Sequence, residues 1–594
     1  MIDRTTKLRW RRRFRQRKHQ VEDLGFQAEE SIERHFFKRL SRLTEVRRFV
    51  VGWTLLFVLL IGGVVYQISV LGAYYQTLKP VPGGTFTEGI LGSFTNANPI
   101  YATGAVDSAV SHLVFAGLLK YDANNQLKPD LAESWSVDAK ETTYTVTLKK
   151  DLLWQDGKSL TAKDVVFTYN TIQDPDAKSP LLASWQGIQV VAKDDRTVTF
   201  TLPSPLSAFP YSMTNGLIPA HVLGTTPAAQ MRATRFNTVD PVGAGPFSLG
   251  PVELSGDTAD STQSRIGLTP NGHYYAGSPA LSKYIVRSFA DEKQMLASFQ
   301  AHELTAMSGL DSLPDTFKTD NSVKQYNTPL TAQVMVFFRN SQEVLSDVKV
   351  RQALVEAVDQ NSLLENLGFP VIASREPFLQ SQPGYNPALT ELGYNVTSAN
   401  TLLDQAGWVK GADGIRTKNS KQLTFKLYSQ STSEYAYVTQ KLQDDWQKIG
   451  VKAEVILQPD SDLQSTVAYH SYDALLYGIS LGPDPDAYAY WGSTQADQRA
   501  ANRVNFSEYK STVADKALEG GRTRTDPALR AVKYQPFLQA WRNDAPALAL
   551  YQPRYLYVTR DTVFGFSPTV MNTATDRYSN VDKWMIRQEK VRQN

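Results

Sequence analysis

Within the stretch 131–170 the spacing of apolar positions changes from period two to a helical period, with a turn between. Thr143–Leu148 alternates strictly, with Tyr144, Val146 and Leu148 on one face and Thr143, Thr145 and Thr147 on the other. That is the period of a half-buried strand. Asp156-Gly157 marks a turn, because Gly accepts positive φ at no steric cost. Thr161 then caps a helix with Asp164 at its N3 position, a variant of the capping box, and Val165, Val166 and Tyr169 fall on one face. Strand, turn and capped helix in this order predict α/β structure.

The same reading extends along the chain. Thr85–Leu91 and Asp194–Leu202 read as strands, the latter with Val198, Phe200 and Leu202 on one face. In 340–364, positions 350, 354, 357 and 358 make a helical face behind Asp347, a plausible cap. Leu423–Leu427 alternates. Tyr435, Val438, Leu442, Trp446 and Ile449 form a helical stripe that stops at Gly450, and Val451, Ala453 and Val455 alternate again. Strand, helix and strand at this spacing predict a βαβ unit and hence some parallel sheet. Residues 254–266 are polar and without period, as expected of a surface insertion or mobile loop.

The N-terminal region is different. Phe49–Leu71 is nearly all apolar and no charged residue occurs from Phe49 to Leu78. About 20 helical residues cross a ~30 Å hydrocarbon layer, so a transmembrane helix is expected over 49–71, followed by a linker over 72–84. Arg47 and Arg48 abut the span, which places residues 1–48 in the cytoplasm by the positive-inside rule. Trp53, Tyr66, Tyr74 and Tyr75 lie near its ends, where interfacial aromatics belong. The run is too long for a cleaved signal peptide, and no small-x-small site follows it.

Charge fits that picture. The net charge of +3 conceals 15 Lys/Arg against 7 Asp/Glu in residues 1–48. A basic arm could bind nucleic acid, but beside a span it reads most simply as a topogenic segment facing phosphate headgroups, and no nucleic-acid partner is expected. The chain has no cysteine, so disulfides, thiolate metal sites, cysteine nucleophiles and a lipidated anchor are all excluded.

Candidate chemistry is sparse. Gly478–Gly482 is a formal GxSxG around Ser480, but an α/β-hydrolase needs its histidine later in the chain, and the last is His470. The seven histidines are scattered without paired spacing, Asp484-Pro485-Asp486 does not complete a calcium loop, and Pro241–Phe247 completes no phosphate-binding pattern. No catalytic residue, metal site or cofactor is expected, so the chain does not read as an enzyme.

Several longer strings point elsewhere: Pro129–Trp135, Thr145–Lys149, Trp154–Gly157, Thr161–Phe167, Ile218–His221, Pro241–Phe247, Val350–Leu354 with Ala357–Asp359, Ala406–Trp408, Ala545–Tyr551 and Val563–Phe566. Together, over about Gly83 to Asp582, they resemble family 5 extracellular solute-binding proteins, the peptide-, dipeptide- and nickel-binding receptors of ABC importers. The resemblance implies an α/β, two-lobed periplasmic-binding-protein-like fold with an extra small domain. Lobe I would comprise 85–118, 202–334 and 548–594, the small domain 119–201, and lobe II 335–547.

It further implies a membrane-anchored receptor, single-pass and with its binding part extracytoplasmic. Such a receptor captures oligopeptides or similar solutes between the lobes and delivers them to an ABC permease with its ATPase subunits. An alternative use of the same fold is a ligand sensor or assembly protein whose arm reaches a cytoplasmic partner. Peptides would add as a strand, by resemblance along Gly104, Ala105 and Val106 on one side and Tyr477, Gly478, Ile479, Ser480 and Leu481 on the other. Tyr488, Tyr490, Trp491 and Tyr551 are candidate pocket walls, with core packing the competing reading for each.

One departure stands out. Family members that grip a peptide's α-amino group use an aspartate about three residues before the Asp-Pro landmark. Here that position falls at Leu481-Gly482, and Ile479 replaces the usual tryptophan. Either Asp484 or Asp486 substitutes, or the ligand is not anchored by its amino terminus.

Overall fold

The structure is a computed structural model that describes residues 47–74, 76–255, 263–484, 486–497, 499–500 and 503–592. All but Arg47 and Arg48 of the basic arm therefore lies outside the described residues. The chain divides into two units, Met1–Lys79 with Gln588–Asn594, and Pro80–Arg587.

In the first unit a 28-residue helix runs from Arg47 to Tyr74. Its stretch Phe49–Ile68 is long and apolar enough to cross a membrane, and none of it is buried against protein. The segment expected as a linker is partly a strand: Gln76–Val81 pairs with Arg587–Arg592. Its partner comes from the far end of the chain, so no local pattern announces the pairing.

The second unit holds two large sheets. One has seven strands in the order Val323–Pro329, Arg554–Arg560, Ala306–Ser308, Thr85–Leu91, Lys283–Phe289, Gln263–Pro270 and Phe247–Ser255. Thr85–Leu91 runs parallel to both its neighbours, and the outer pairs are antiparallel. Residues 254–255 and 263–266, expected in a mobile insertion, belong instead to the antiparallel pair Phe247–Ser255 and Gln263–Pro270. Phe247–Ser255 is the sheet's edge strand, with Glu253, Leu254 and Ser255 exposed; residues 256–262 lie outside the described residues.

The other sheet has six strands: Ile372–Ala373, Ala547–Gln552, Ala332–Phe338, Ala474–Ser480, Thr424–Gln430 and Lys452–Gln458. Period two explains why it is buried on both faces. Val334, Val336 and Phe338 enter one core, and Met335 and Phe337 enter the other. Thr424–Gln430, the helix Ser433–Lys448 and Lys452–Gln458 form the expected βαβ unit, with Gly450 at φ +78 closing the helix. Asp347 caps Val348–Glu356 through Lys349 N at 2.9 Å. The strand Ala547–Gln552 lies in this sheet, beyond the boundary at 547 that the sequence placed between lobes.

A third, four-stranded antiparallel sheet joins Ala132–Val137, Thr143–Leu148, Thr197–Thr201 and Gln189–Ala192. Tyr144, Val146 and Leu148 are buried as their alternation predicts. Thr161 and Asp164 make the capping box of Ala162–Gln173. The strand read as Asp194–Leu202 starts only at Thr197, because Asp194 Oδ1 accepts from Arg196 N and Thr197 N in a turn. This sheet shares one continuous core with the seven-stranded sheet, Val146 and Trp185 belonging to the same cluster as Phe86 and Trp584.

Two chain segments cross between the large sheets. Pro329 pairs with Arg554 on one side and Val334 with Tyr551 on the other. Between them Leu330 N donates to Pro553 O at 2.9 Å, and Gln552 Nε2 donates to Leu330 O at 2.7 Å. The bonds hold the crossings side by side while leaving the segment outside either sheet.

A buried carboxyl ties a long loop to the six-stranded sheet. Glu391 Oε2 accepts from Ala549 N at 3.1 Å, and burial pushes its pKa up to about 8. The folded value lies above the unfolded one, so stability is unaffected below about pH 4.5 and falls as pH rises towards 8, where only the unfolded state has released the proton. Thermal unfolding measured from pH 4 to 9 should therefore show a decline, worth on the order of 2–4 kcal/mol, that Glu391→Gln flattens.

Candidate ligand-binding cleft

The cleft is built from an open strand edge in one sheet and a cavity beside the other. Ala474–Ser480 pairs with Ala332–Phe338 along its whole length, from Phe338 opposite Ala474 to Ala332 opposite Ser480. On its other edge it pairs with Thr424–Gln430 only at Ala474 and Leu475. Leu481 N donates to Thr331 O at 2.9 Å. Successive strand residues turn their amide groups to opposite edges, so Tyr477 and Ile479 face the partner strand while Gly478 and Ser480 face the open side. A Cβ at Gly478 would stand 3.0 Å from the Tyr435 hydroxyl, so glycine keeps the approach to this edge clear.

A cavity of about 410 Å³ lies against the helix Ala105–Val114 and the strand Leu119–Tyr121. Its walls include Ser108, Ser111 and His112 from the helix Ala105–Val114, the Tyr121 and Tyr211 rings, and Asp576, Tyr578 and Asp582 near the C-terminus. Tyr121 and Tyr211 lie nearly parallel, centroids 6.3 Å apart. Gly243 lets the Pro241–Phe247 loop close on the end of this helix; a Cβ there would stand 2.0 Å from Val114 O.

A buried network pins the C-terminal wall. Glu88, in the centre of Thr85–Leu91, accepts from Arg577 Nε at 3.0 Å and from the Tyr284 and Tyr578 hydroxyls at 2.6 Å each. Both charged side chains are enclosed, so the geometry has to satisfy them fully. Lys120 Nζ reaches Asp130 Oδ1 at 3.2 Å and the Tyr275 hydroxyl at 3.1 Å. Burial pushes His112 down to about 4, so its ring is neutral at physiological pH.

None of the thirteen positions expected to bind ligand lines this cavity. Gly104 and Ala105 are exposed at the start of the helix whose next turns do line it. Trp491 and Tyr551 are fully enclosed core side chains, which corrects their candidacy as pocket walls, and Gly104–Val106 open the helix Ala105–Val114 instead of forming the expected strand edge. Trp491 packs on Phe337 and Trp541. A bulge between Val334 and Met335 turns Tyr551 inward, where its hydroxyl donates to Glu434 Oε1 at 2.6 Å. Ile479 and Leu481 point their side chains into the core, and their amide groups face the Ala332–Phe338 side rather than the open edge. Tyr488 bonds Thr494 Oγ1 at 3.1 Å and lies under the Arg522 guanidinium.

The two aspartates expected to replace an amino-group anchor are both engaged. Asp484 makes a bidentate pair with Arg530, one bond at 2.7 Å, with both side chains buried. Asp486 Oδ2 holds Arg522 at 2.5 Å, its other oxygen enclosed without a partner. The Asp484 charge nonetheless reaches across the cleft: it adds to burial in pushing up the hydroxyls of Tyr121, Tyr144 and Tyr211. Direct bonds also cross it. Glu141 accepts from Thr525 N and Oγ1 at 3.1 and 2.8 Å, and Ser207 N donates to Arg522 O at 3.0 Å.

Sequence reasoning missed Tyr211, Asp576 and Asp582. The available signal was Glu88, an acid in the buried centre of its strand, whose partner Arg577 lies between the wall residues Asp576 and Tyr578. Ser480 is exposed at the strand's end, and His470 is held by Glu508 and the Arg503 carbonyl. The elbow motif thus has no base beside it.

Two α/β lobes joined by paired crossings, one with an open strand edge and the other with a cavity, define an extracytoplasmic solute-binding protein. The chain belongs to the bacterial extracellular solute-binding proteins, family 5, whose model matches residues 126–501. It is a binding protein rather than an enzyme. It is 26% identical to the oligopeptide-binding protein AppA of Bacillus subtilis over 86% of this chain and 92% of that one. The structure of AppA with a nonapeptide superposes with a TM-score of 0.68, at 26% identity, over 86% of this chain and all of that one. NikZ of Campylobacter jejuni in complex with Ni(L-His) gives 0.70 at 26% identity, covering 84% and 99%.

The Asp484–Arg530 pair yields a stability test. Arg530→Ala strands a buried carboxylate and should cost about 3–5 kcal/mol. Asp484→Ala combined with Arg530→Met should recover much of that loss in denaturant unfolding.

Proposed function

We propose that this chain is a membrane-anchored receptor that captures oligopeptides or chemically similar solutes outside the cytoplasm and hands them to an ABC permease with its ATPase subunits. The observation that carries the reading is the open strand edge at Gly478 and Ser480. Unpaired amide groups there match the backbone of an extended ligand, and main-chain pairing is indifferent to side chains. The cavity supplies room for one or more of those side chains. The bonds of Thr525 to Glu141 and of Ser207 N to Arg522 O span the cleft and would give the two lobes differential contacts between open and closed arrangements, as ligand-driven closure requires. AppA, whose structure holds a nonapeptide, supports a peptide ligand; NikZ, with Ni(L-His), keeps other solutes within the family's range.

Anchoring rests on the helix Arg47–Tyr74, whose apolar stretch Phe49–Ile68 matches a bilayer in length. With no cysteine to lipidate, the helix is the anchor this sequence offers.

Two measurements test the reading. Full-length protein purified natively and then denatured should release a ladder of short peptides by mass spectrometry; a single non-peptide solute would redirect the substrate class, and an empty cleft unresponsive to peptide mixtures would sink peptide capture. In cell fractionation the full chain should stay with membranes through alkaline carbonate washing. Recovery in the soluble fraction would overturn the anchor.

A further inference from the structure

The cavity against the helix Ala105–Val114 carries polar groups that the fold itself does not use. Helical spacing brings Ser108, Ser111 and His112 to one face, and all three line the cavity. Ser111 is only 7% exposed. Among the described residues its hydroxyl makes no hydrogen bond, and it is not enclosed, so it opens on the cavity. The His112 ring stands 6.0 Å from the Tyr578 ring and also makes no hydrogen bond. Burial holds its pKa at about 4, so the ring is neutral and one of its nitrogens accepts. On the C-terminal wall the Asp582 carboxylate accepts no hydrogen bond from any described residue.

The charges around the cavity do not favour an anion. Lys120 is spent on Asp130 at 3.2 Å and on the Tyr275 hydroxyl at 3.1 Å. Behind the wall, Arg577 is matched by Glu88 at 3.0 Å. Lys149 lies over the outer part of the Tyr275 ring, 4.5 Å from its centroid, and donates to the Asp130 and Ala132 carbonyls. Asp576 and Asp582 are left over. Asp576 accepts from Asn572 N and Thr573 N at 2.7 and 3.2 Å; burial raises its pKa while these amides hold it down. The wall rings Tyr121 and Tyr211 feel the Asp484 charge from the opposite lobe, which puts that part of the wall on the side facing the cleft.

We propose that this cavity is a subsite for a cationic group of the ligand, a primary amine or a guanidinium, held by the Asp582 carboxylate and by Ser111 and His112. The inference rests on the peptide-capture reading above and names the side-chain class that one position of the ligand carries. The carboxylate neutralises the charge, and the hydroxyl and imidazole accept further N–H groups, as a cation leaving water requires. A ligand carboxylate in the same place would face Asp582 and Asp576 with the wall's one ammonium already engaged.

The test uses the full chain in detergent and a randomised tetrapeptide library in which every position samples lysine, Nε-acetyl-lysine, arginine, glutamine and glutamate. Peptides retained after gel filtration are released and sequenced by mass spectrometry. At one position lysine and arginine are expected to exceed acetyl-lysine and glutamate by roughly tenfold. Asp582→Asn, isosteric at a half-buried site, should bring that ratio towards unity while retention of neutral peptides persists. Ser111→Ala should lower it in the same direction. A purely structural role for either residue would reduce retention of all peptides alike and leave the ratio intact. Glutamate equal to lysine at every position overturns the proposal, as does a cation preference spread evenly over all four positions, which reports bulk attraction. A wild-type ratio kept by both variants overturns the assignment to this cavity. If no peptide is retained at all, peptide capture falls and takes this inference with it, an outcome distinct from retention without a charge preference.

Discussion

Everything in the second unit depends on how the chain crosses between its two large sheets. Pro329–Gln333 and Gln552–Arg554 run antiparallel, paired in the seven-stranded sheet at one end and the six-stranded sheet at the other. At the bond between Leu330 and Pro553 they belong to neither. A pair of extended strands can bend where ladder bonding is interrupted, while the sheets on either side, packed on both faces, cannot. The crossing therefore fixes which strand edges face each other without fixing how far apart they stand. It also explains why Ala474–Ser480 ends as it does. Thr331, within the crossing, takes both Leu481 N and Gly482 N, so the last residues of the open edge are tied to the crossing itself.

Much of this was legible locally. Alternation located Thr143–Leu148, and the Thr161/Asp164 pair located the next helix, because strand period and capping act within a few residues. The βαβ unit over 424–458 followed from the same kind of signal. Features joined across the chain were not legible. Gln76–Val81 reads as a linker because its partner is Arg587–Arg592, and 254–255 and 263–266 read as part of an insertion because the edge strand Phe247–Ser255 ends in exposed positions that carry no apolar alternation. Tyr551 follows Leu550 in an apolar run, and only the bulge opposite Val334 and Met335 decides which way its ring turns.

The residues proposed to bind ligand divide the same way. Positions supplying backbone, Gly478 and Ser480, could be placed from the motif that contains them. Side chains that shape the cavity, such as Tyr211 and Asp576, come from segments whose only common feature is that the Glu88–Arg577 network and the shared core bring them together. Asp484 and Asp486 looked available because sequence shows a charge but hides its partner. Arg530 and Arg522 arrive from a helical hairpin some 40 residues later.

The order of strands has a consequence for how the molecule is made. Thr85–Leu91, at the middle of the seven-stranded sheet, is among the first strands synthesised, and its sheet lacks Arg554–Arg560 until nearly the whole chain has emerged. The six-stranded sheet waits equally for Ala547–Gln552. One short run, Ala547–Arg560, thus completes both lobes almost at once. Long-range pairings close slowly and leave edges open meanwhile, so a nascent chain that has crossed to the outside carries two unfinished sheets until this run arrives. Neither large sheet can be finished ahead of the other, and a chain that stops short of residue 547 leaves both without a strand of their interior.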